Sequence, residues 1–170
     1  MKSVCAVTVG RSDWSILSPI LHAINLDEDI NLSLVVAGSH LSSEYGYTVE
    51  LITKEGFQIY DYVDMLLSSD TPDGAAKTMG LGVIGFAQSY RRLNPDLILL
   101  VGDRLEAHAA ASAALPFRIP VAHIHGGEVT HGAFDDSLRH SITKLSHLHF
   151  VTTLEHKKRV IQLGEEPWRI

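Results

Sequence analysis

DLILLVGDRLEAHAAASAALPFRIPVAHI, residues 96–124, is the stretch that decides the fold, because it has the pattern of a complete βαβ unit. The apolar run at 96–101 precedes an alanine-rich segment at 104–115 with helical character, and a second β-rich run follows at 119–124. Continuous apolar strands are expected where helices cover both faces of a sheet, and right-handed crossovers then make the strands parallel. We therefore predict an α/β fold, a Rossmann-like doubly wound parallel sheet.

The same alternation of β-rich runs and helical segments extends along the whole chain. We predict strands at residues 4–9, 32–37, 57–63, 96–101, 119–124 and 147–153, and helices at 13–24, 48–55, 72–93, 104–115, 135–145 and 154–163. Asp13 follows a Gly-Arg-Ser turn as a candidate helix cap, and Thr71 precedes Pro72 at a first helical position. Asp135 and Asp136 place negative charge at another helix start. A chain of 170 residues organised in this way is expected to form one domain.

Composition excludes several classes of protein. Hydrophobic residues make up 45% and charged residues 20%, as in ordinary globular proteins, and no run approaches the ~20 apolar residues of a membrane span. The net charge of -6 argues against a nucleic-acid partner. The single cysteine, Cys5, cannot form a disulfide or a thiolate metal site within one chain. We expect a cytoplasmic protein with no membrane and no nucleic-acid partner.

Chemistry is concentrated in HIHGGEVTHGAFDDSLRH, residues 123–140, which crowds imidazoles, carboxylates and a guanidinium into one strand-to-helix connection. A loop at the carboxyl end of a buried parallel strand is where open α/β sheets bind ligands. The Gly-Gly turn within it allows the backbone to turn sharply or to approach a ligand closely. We predict that the chemistry of the protein lies in this segment.

Two histidines of this segment raise the alternative of a metal site. If the strand continued, His123 and His125 would lie on one face and could pair with Asp135 or Glu128 around a metal ion. However, the i, i+4 helical spacing of zinc hydrolases is absent and no cysteine assists. We predict no metal site, because hydrogen bonding to sugar hydroxyls and proton transfer explain these groups.

Loops after the other strands add candidates for substrate binding. Residues 10–15 contain one glycine and lack the GxGxxG pattern, so we predict no nicotinamide or other cofactor. Arg11 and Ser15, beside a helix N-terminus, could hold a phosphate. Asp103 could act on the substrate while Arg104 holds its phosphate; the alternative is a helix cap beside a surface charge. The further candidate binding residues are His40, Asp136, Arg139 and His140.

With these residues in view, the chain resembles the N-terminal half of the hydrolysing UDP-N-acetylglucosamine 2-epimerases, which start the synthesis of sialic, legionaminic and related nonulosonic acids in bacteria. The resemblance covers the whole chain. It rests on VTVGRSDWSILSPIL (7–21), VVAGSHLSSEYG (35–46), LVGDR (100–104) and PVAHIHGGEVTHGAFDDSLRHSITKLSHLHFV (120–151).

The resemblance implies two Rossmann-like domains in a GT-B arrangement, with a UDP-sugar in the cleft between them. Residues 1–165 would form the first domain, and 166–170 would begin the connection to a missing second domain. We therefore expect negligible turnover by this fragment alone. Members of the family are oligomers, so we expect a homo-oligomeric dimer or tetramer, with the helix at 72–93 as a candidate contact.

The resemblance also implies a reaction and residue roles. UDP is eliminated in the anti sense to give a 2-acetamidoglucal, which is hydrated to N-acetylmannosamine. Arg11, Ser15 and Arg104 would lie near the UDP moiety, and Asp103 and Asp135 would be catalytic carboxylates. Relatives often have a Glu where His125 stands, so the role of that Glu passes to His125 or to Glu128.

Three alternatives remain open at this point. One is the same reaction on UDP-2,4-diacetamido-2,4,6-trideoxyglucose. The HIHGGEVTHG variant of the turn is the reason to consider this substrate. Another is a non-catalytic module that binds a nucleotide sugar, although the presence of Asp103 and Asp135 weighs against it. The last is a glycosyltransferase of the same architecture, which would show no proton exchange at C2.

Overall fold

The computed structural model describes residues 1–131 and 134–170. Within them lies a six-stranded, fully parallel sheet with helices on both faces. The strands are β1 (Lys2–Thr8), β2 (Ile30–Ala37), β3 (Ile59–Val63), β4 (Leu97–Val101), β5 (Val121–Ile124) and β6 (Leu148–Phe150). The α-helices are α1 (Arg11–Asn25), α2 (Val49–Lys54), α3 (Pro72–Leu93), α4 (Leu105–Phe117), α5 (Asp135–Leu145) and α6 (Leu154–Gln162), and short 3-10 helices span Gly38–Leu41, Ser43–Tyr45 and Pro167–Arg169. The predicted Rossmann-like α/β fold is confirmed.

The strand order β3-β2-β1-β4-β5-β6 explains where a ligand can enter. The chain first winds outward from β1 to β3, and it then returns through α3 to β4 and winds outward in the opposite direction. The direction of winding therefore changes between the adjacent strands β1 and β4. The loops that follow these two strands diverge and leave a crevice at the carboxyl edge of the sheet.

Two apolar layers cover the faces of the sheet. On one side Phe86 and Tyr90 of α3 are buried against the alanine-rich α4, and the Tyr90 hydroxyl donates to the carbonyl oxygen of Ala110 at 3.1 Å. A methyl group at Gly82 would lie 2.9 Å from Cβ of Ala109, so small residues are needed where these two helices cross. On the other side, α1 buries Leu17. No helix in the described residues has the length and hydropathy that a membrane span requires.

Most predicted elements are confirmed, with shifts at their ends. Thr71 caps α3, because its hydroxyl accepts from the amide of Gly74 at 3.1 Å and Pro72 takes the first helical position. The prediction of Asp13 as a cap was wrong. The helix begins at Arg11 after Gly10, and Asp13 is a buried residue of the first turn. The last predicted strand, 147–153, is reduced to Leu148–Phe150 because residues from 152 onward turn into α6.

Candidate functional site

The loops after β1, β4 and β5 meet at the carboxyl edge of the sheet and bring together most of the predicted site residues. The β4–α4 loop carries Asp103 and Arg104, and the longer β5–α5 loop carries His125 and Glu128. Asp103 does not cap α4. Position 104 is the cap residue, without a side-chain hydrogen bond, and the Asp103 carboxylate instead contacts the neighbouring loop. The alternative of a helix cap for Asp103 is therefore excluded by the geometry.

Arg139 joins these two loops from the buried face of α5. Its side chain is only 7% exposed. Nη2 donates to the Asp103 carboxylate and to Oγ1 of Thr130 (3.0 Å), while Nη1 donates to the carbonyl oxygen of His125 at 2.8 Å and lies 3.6 Å from Oε2 of Glu128. Thr130 also donates to Oδ2 of Asp103 at 2.9 Å. A buried cation requires such partners, since each unpaired buried charge costs several kcal/mol of solvation (of order 3–5).

His125 and Glu128 form a close pair on the rim of the cleft. Nδ1 of His125 lies 3.0 Å from Oε1 of Glu128, and both side chains are partly exposed. The backbone of His125 has a φ of 68°, a left-handed conformation that turns the chain out of the strand, and its amide donates to the carbonyl of Phe150 at 2.9 Å. An acid/base pair is thus held at the end of β5, open to a ligand.

The turn at His125 also separates the two histidines that sequence alone could have placed on one face. His123 is buried, with Nε2 2.7 Å from the carbonyl oxygen of Gly102 and Nδ1 3.3 Å from Oγ1 of Thr143. Burial lowers the pKa of His123 to about 4, so the ring is neutral and structural at physiological pH. Among residues 1–131 and 134–170 there is no group of three or more His, Cys, Asp or Glu side chains arranged to hold a metal ion.

Helix α5 brings further polar groups to the same rim. Oδ1 of Asp136 accepts from the amide of Thr130 at 3.3 Å, and its Oδ2 lies 3.5 Å from Nε2 of His140 one turn later. Asp135 is the first residue of the helix and is half-buried. Residues 132 and 133, in the loop that leads to this helix, lie outside the described residues. The role of Asp135 as a catalytic carboxylate therefore stays a prediction.

The β1 side of the crevice is basic and open. Arg104 is 43% exposed at its side chain, with Nη2 3.5 Å from Oγ of Ser12 and Nε 3.8 Å from Oδ1 of Asp13. Arg11 is exposed at the first position of α1, and the Ser15 hydroxyl donates to the carbonyl of Ser12 at 2.7 Å. Two flexible cations beside a helix N-terminus can reach an anion in the crevice.

Asp13 and Glu106, near Arg104, are buried carboxyl groups, which the sequence did not predict. Burial raises the pKa of Asp13 to about 6, against the lowering influence of the Arg104 guanidinium. Burial also raises the pKa of Glu106, in the first turn of α4. Such shifts are common at functional sites. The available signal for Asp13 was an acidic residue in the loop-to-helix segment after β1, although its burial depends on packing that the sequence pattern does not display.

The structure corrects the placement of His40. We expected this residue to line the crevice, but it is buried, with its ring nitrogens 2.9 Å from Oγ1 of Thr8 and 2.7 Å from Oγ1 of Thr48. Burial, helped by the nearby Arg104, lowers the pKa of His40 to about 4. Both nitrogens are engaged inside the protein, so His40 anchors the loop after β2 and offers no free ring atom to a ligand.

Comparison with known proteins now adds to this geometry. Residues 22–170 match the family model described as UDP-N-acetylglucosamine 2-epimerase. The chain belongs to this family. It is 42% identical over 169 residues to a GDP/UDP-N,N'-diacetylbacillosamine 2-epimerase (hydrolyzing) of Campylobacter jejuni, and 40% identical over 166 residues to the UDP-N,N'-diacetylbacillosamine 2-epimerase (hydrolyzing) of Legionella pneumophila. These alignments cover 99% and 98% of this chain but 44% of each relative, so the chain spans less than half their length.

Solved structures of the family share the fold. A putative UDP-N-acetylglucosamine 2-epimerase from Listeria monocytogenes superposes with a TM-score of 0.87 at 18% identity, over 100% of this chain and 44% of that one. The UDP-GlcNAc 2-epimerase of Neisseria meningitidis bound to UDP-GlcNAc gives a TM-score of 0.86 at 17% identity, over 98% of this chain and 44% of the other. At such low identity these superpositions establish the fold of this epimerase-family chain and nothing finer.

Proposed function

We propose that the protein containing this chain is a hydrolysing 2-epimerase of a UDP-linked 2-acetamido sugar. The observation that carries the proposal is that the buried Arg139 guanidinium holds Asp103 and Glu128, while Arg104, next to Asp103 in the chain, is exposed. Acid/base groups and anion-binding groups thus face one crevice. A reaction that moves a proton on a sugar and releases a nucleotide needs both.

The first stage is the anti elimination of UDP. As the C1–O bond breaks, positive charge at C1 acidifies the C2 proton, which a carboxylate or imidazole can then remove. The pair His125 and Glu128 is suited to this role because its members lie 3.0 Å apart and are partly exposed. Arg104 and Arg11 bind the departing diphosphate, with Ser15 and the amides of the α1 N-terminus beside them.

The second stage hydrates the 2-acetamidoglucal. Water adds at C1 while a proton reaches C2 from the opposite face, which requires acid/base groups on both sides of the sugar ring. Asp103 and Asp135 are our candidates for the second side, with Asp136 and His140 as hydrogen-bonding partners of the sugar hydroxyls. The products are UDP and a free manno-configured sugar.

We infer the sugar of the substrate from the names of the relatives. The two relatives at 42% and 40% identity are named for UDP-N,N'-diacetylbacillosamine, whereas a Neisseria meningitidis relative named UDP-N-acetylglucosamine 2-epimerase is 38% identical. This favours the 2,4-diacetamido-6-deoxy sugar, with UDP-N-acetylglucosamine as the alternative. The corresponding products feed legionaminic-type or sialic-type nonulosonic acids in a bacterial cytoplasm.

We also propose a domain architecture for the intact protein. Residues 1–165 are the N-terminal Rossmann-like domain, and 166–170 begin the connection to a second domain that completes the cleft in a GT-B arrangement. The intact enzyme is a homo-oligomer, and residues 1–170 alone have negligible turnover. Measurable turnover by the purified 170-residue chain would refute the proposal that a second domain is needed for activity.

Proton NMR in D₂O tests the proposal directly. The protein that contains this chain is incubated separately with UDP-N,N'-diacetylbacillosamine and with UDP-N-acetylglucosamine. Release of UDP together with a C2-deuterated manno sugar from either one is the expected result, and the faster substrate identifies the pathway. Absence of C2 deuterium from both contradicts an epimerase and leaves a transferase or a binding module.

A further inference from the structure

A line of polar side chains leads from Glu128 toward α6. Glu128 belongs to the β5–α5 loop, which we call the catalytic loop. The Thr152 hydroxyl donates to Oε1 of Glu128 at 3.1 Å, and the same oxygen of Thr152 lies 2.7 Å from Nδ1 of His156. His125 occupies the other end of this line, 3.0 Å from the same Glu128 oxygen. Four groups that can carry a proton are therefore in series.

The direction of the hydrogen bonds along this line depends on whether Glu128 is ionised. An ionised carboxylate only accepts hydrogen bonds, and a Thr hydroxyl has one hydrogen to give. Since Thr152 gives its hydrogen to Glu128, the contact between Thr152 and His156 needs a hydrogen on Nδ1 of His156. When Glu128 is ionised, His156 must therefore be the Nδ1–H tautomer or the imidazolium.

The opposite polarity is equally well satisfied. A protonated Glu128 can donate to the Thr152 oxygen, and Thr152 can then donate to an unprotonated Nδ1 of His156. Every member keeps its hydrogen bonds in both arrangements. One proton can thus be handed along the line, with no change in heavy-atom positions.

The Thr152 contacts are not needed to hold α6 in place. The helix is capped by Thr153, whose hydroxyl accepts from the amide of His156 at 3.2 Å. Its docking on the catalytic loop uses Arg159, which donates to the carbonyl oxygen of Gly127, and the buried Val160, whose side chain faces the same glycine. A capping or docking role therefore leaves the Thr152 hydroxyl unexplained.

We propose that Thr152 and His156 form a proton path that connects Glu128 with solvent at α6; this inference rests on the proposed function. The C2–H bond of the sugar breaks, and its proton passes, through His125 or directly, to the Glu128 carboxylate. His156 first exchanges its ring hydrogen from Nδ1 to Nε2 through water, so that Nδ1 can accept a proton. The Glu128 proton then moves to Oγ1 of Thr152 while the Thr152 proton moves to Nδ1 of His156, and His156 releases its Nε2 proton to water, which restores the Nδ1–H tautomer. Thr152 is exposed and His156 is partly exposed, so water can reach this end of the line.

The tautomer of His156 tests the path independently of turnover. Nitrogen-15 NMR of the uncomplexed protein at neutral pH is expected to show Nδ1 of His156 protonated, and Thr152→Val is expected to remove that constraint and change the nitrogen shifts. Thr152→Ser, which keeps the hydroxyl, should retain the original shifts. A His156 ring with an unprotonated Nδ1 in the unsubstituted protein would overturn the inference.

Turnover gives the functional test. With the substrate that the unsubstituted protein converts, T152V is expected to lower kcat at least tenfold with KM within threefold, and T152S to restore at least half. His156→Ala should lose as much and regain activity with added imidazole. The control is Glu155→Gln, an exposed residue one position before His156 on α6. Wild-type kcat in T152V refutes the path and leaves the epimerase proposal intact, whereas an inactive unsubstituted protein refutes both.

Discussion

The two sides of the crevice differ in how their arginines are held. On the β5 side, Arg139 is buried and contacts Asp103, Glu128, Thr130 and the backbone of His125. On the β1 side, Arg104 is 43% exposed and its polar partners lie 3.5 and 3.8 Å away. A buried, multiply bonded arginine fixes the positions of other groups, whereas an exposed one keeps its hydrogen-bonding capacity for a ligand. Under the proposed function, the positioning of acid/base groups is therefore separated from the binding of an anion.

Arg139 gives the largest expected effect on stability. Arg139→Met removes the buried cation and leaves two carboxylates, Asp103 and Glu128, close together without their partner. We expect the free energy of unfolding to fall by about 3–5 kcal/mol. Urea denaturation of the chain measures this, with the exposed Lys158→Met as control. A loss below about 1 kcal/mol would show that Arg139 does not support the site.

Asp13, on the β1 side of the crevice, should make the unfolding free energy depend on pH. Its pKa is raised from 3.8 to about 6, so in this window the folded state binds more protons than the unfolded state and stability falls as pH rises. Relative to D13N, the unsubstituted chain should lose about 2 kcal/mol of unfolding free energy between pH 4 and pH 6. Comparing the two proteins removes the contributions of other titrating groups. Parallel curves of unfolding free energy against pH would contradict the assignment.

Arg104 should affect binding and leave stability almost unchanged. The Arg104 side chain is 43% exposed, and its contacts with Ser12 and Asp13 are 3.5 and 3.8 Å long. Arg104→Ala is therefore expected to alter the unfolding free energy by less than about 0.5 kcal/mol. A charge-assisted hydrogen bond to a diphosphate contributes about 1.5–3 kcal/mol, so UDP affinity should fall at least tenfold. Calorimetric titration of the intact protein with UDP measures this, with Arg91→Ala on α3 as the matched exposed arginine. Equal affinities in the two variants would reject Arg104 as a diphosphate ligand.

Ser15 should give the smallest effect. Its hydroxyl already donates to the carbonyl of Ser12, so only its acceptor capacity is free for a ligand. The loss of one neutral hydrogen bond is worth about 1 kcal/mol or less. UDP titration of Ser15→Ala should therefore show an affinity reduced less than fivefold. A loss of UDP affinity as large as that of R104A would show that Ser15 is a principal ligand of the diphosphate.

The sequence predicted the fold well, and it predicted which loops meet at the carboxyl edge of the sheet, because both depend on local patterns. Apolar runs such as 96–101 indicate buried parallel strands, and a crowded loop after a strand marks the ligand edge. Burial of His40 and Asp13 escaped prediction, since it depends on partners such as Thr8 and Arg104 that lie 32 and 91 positions away in the numbering. Long-range packing decides which polar groups become structural.

We propose that His125 and Glu128 remove the C2 proton while the basic side of the crevice binds UDP. The most direct test is proton NMR in D₂O on the double variant His125→Gln/Glu128→Gln of the intact protein, at saturating UDP-sugar. We expect UDP affinity within threefold of the unsubstituted protein, with UDP release and C2 deuteration both reduced at least a thousandfold. C2 deuteration at the unsubstituted rate would contradict it.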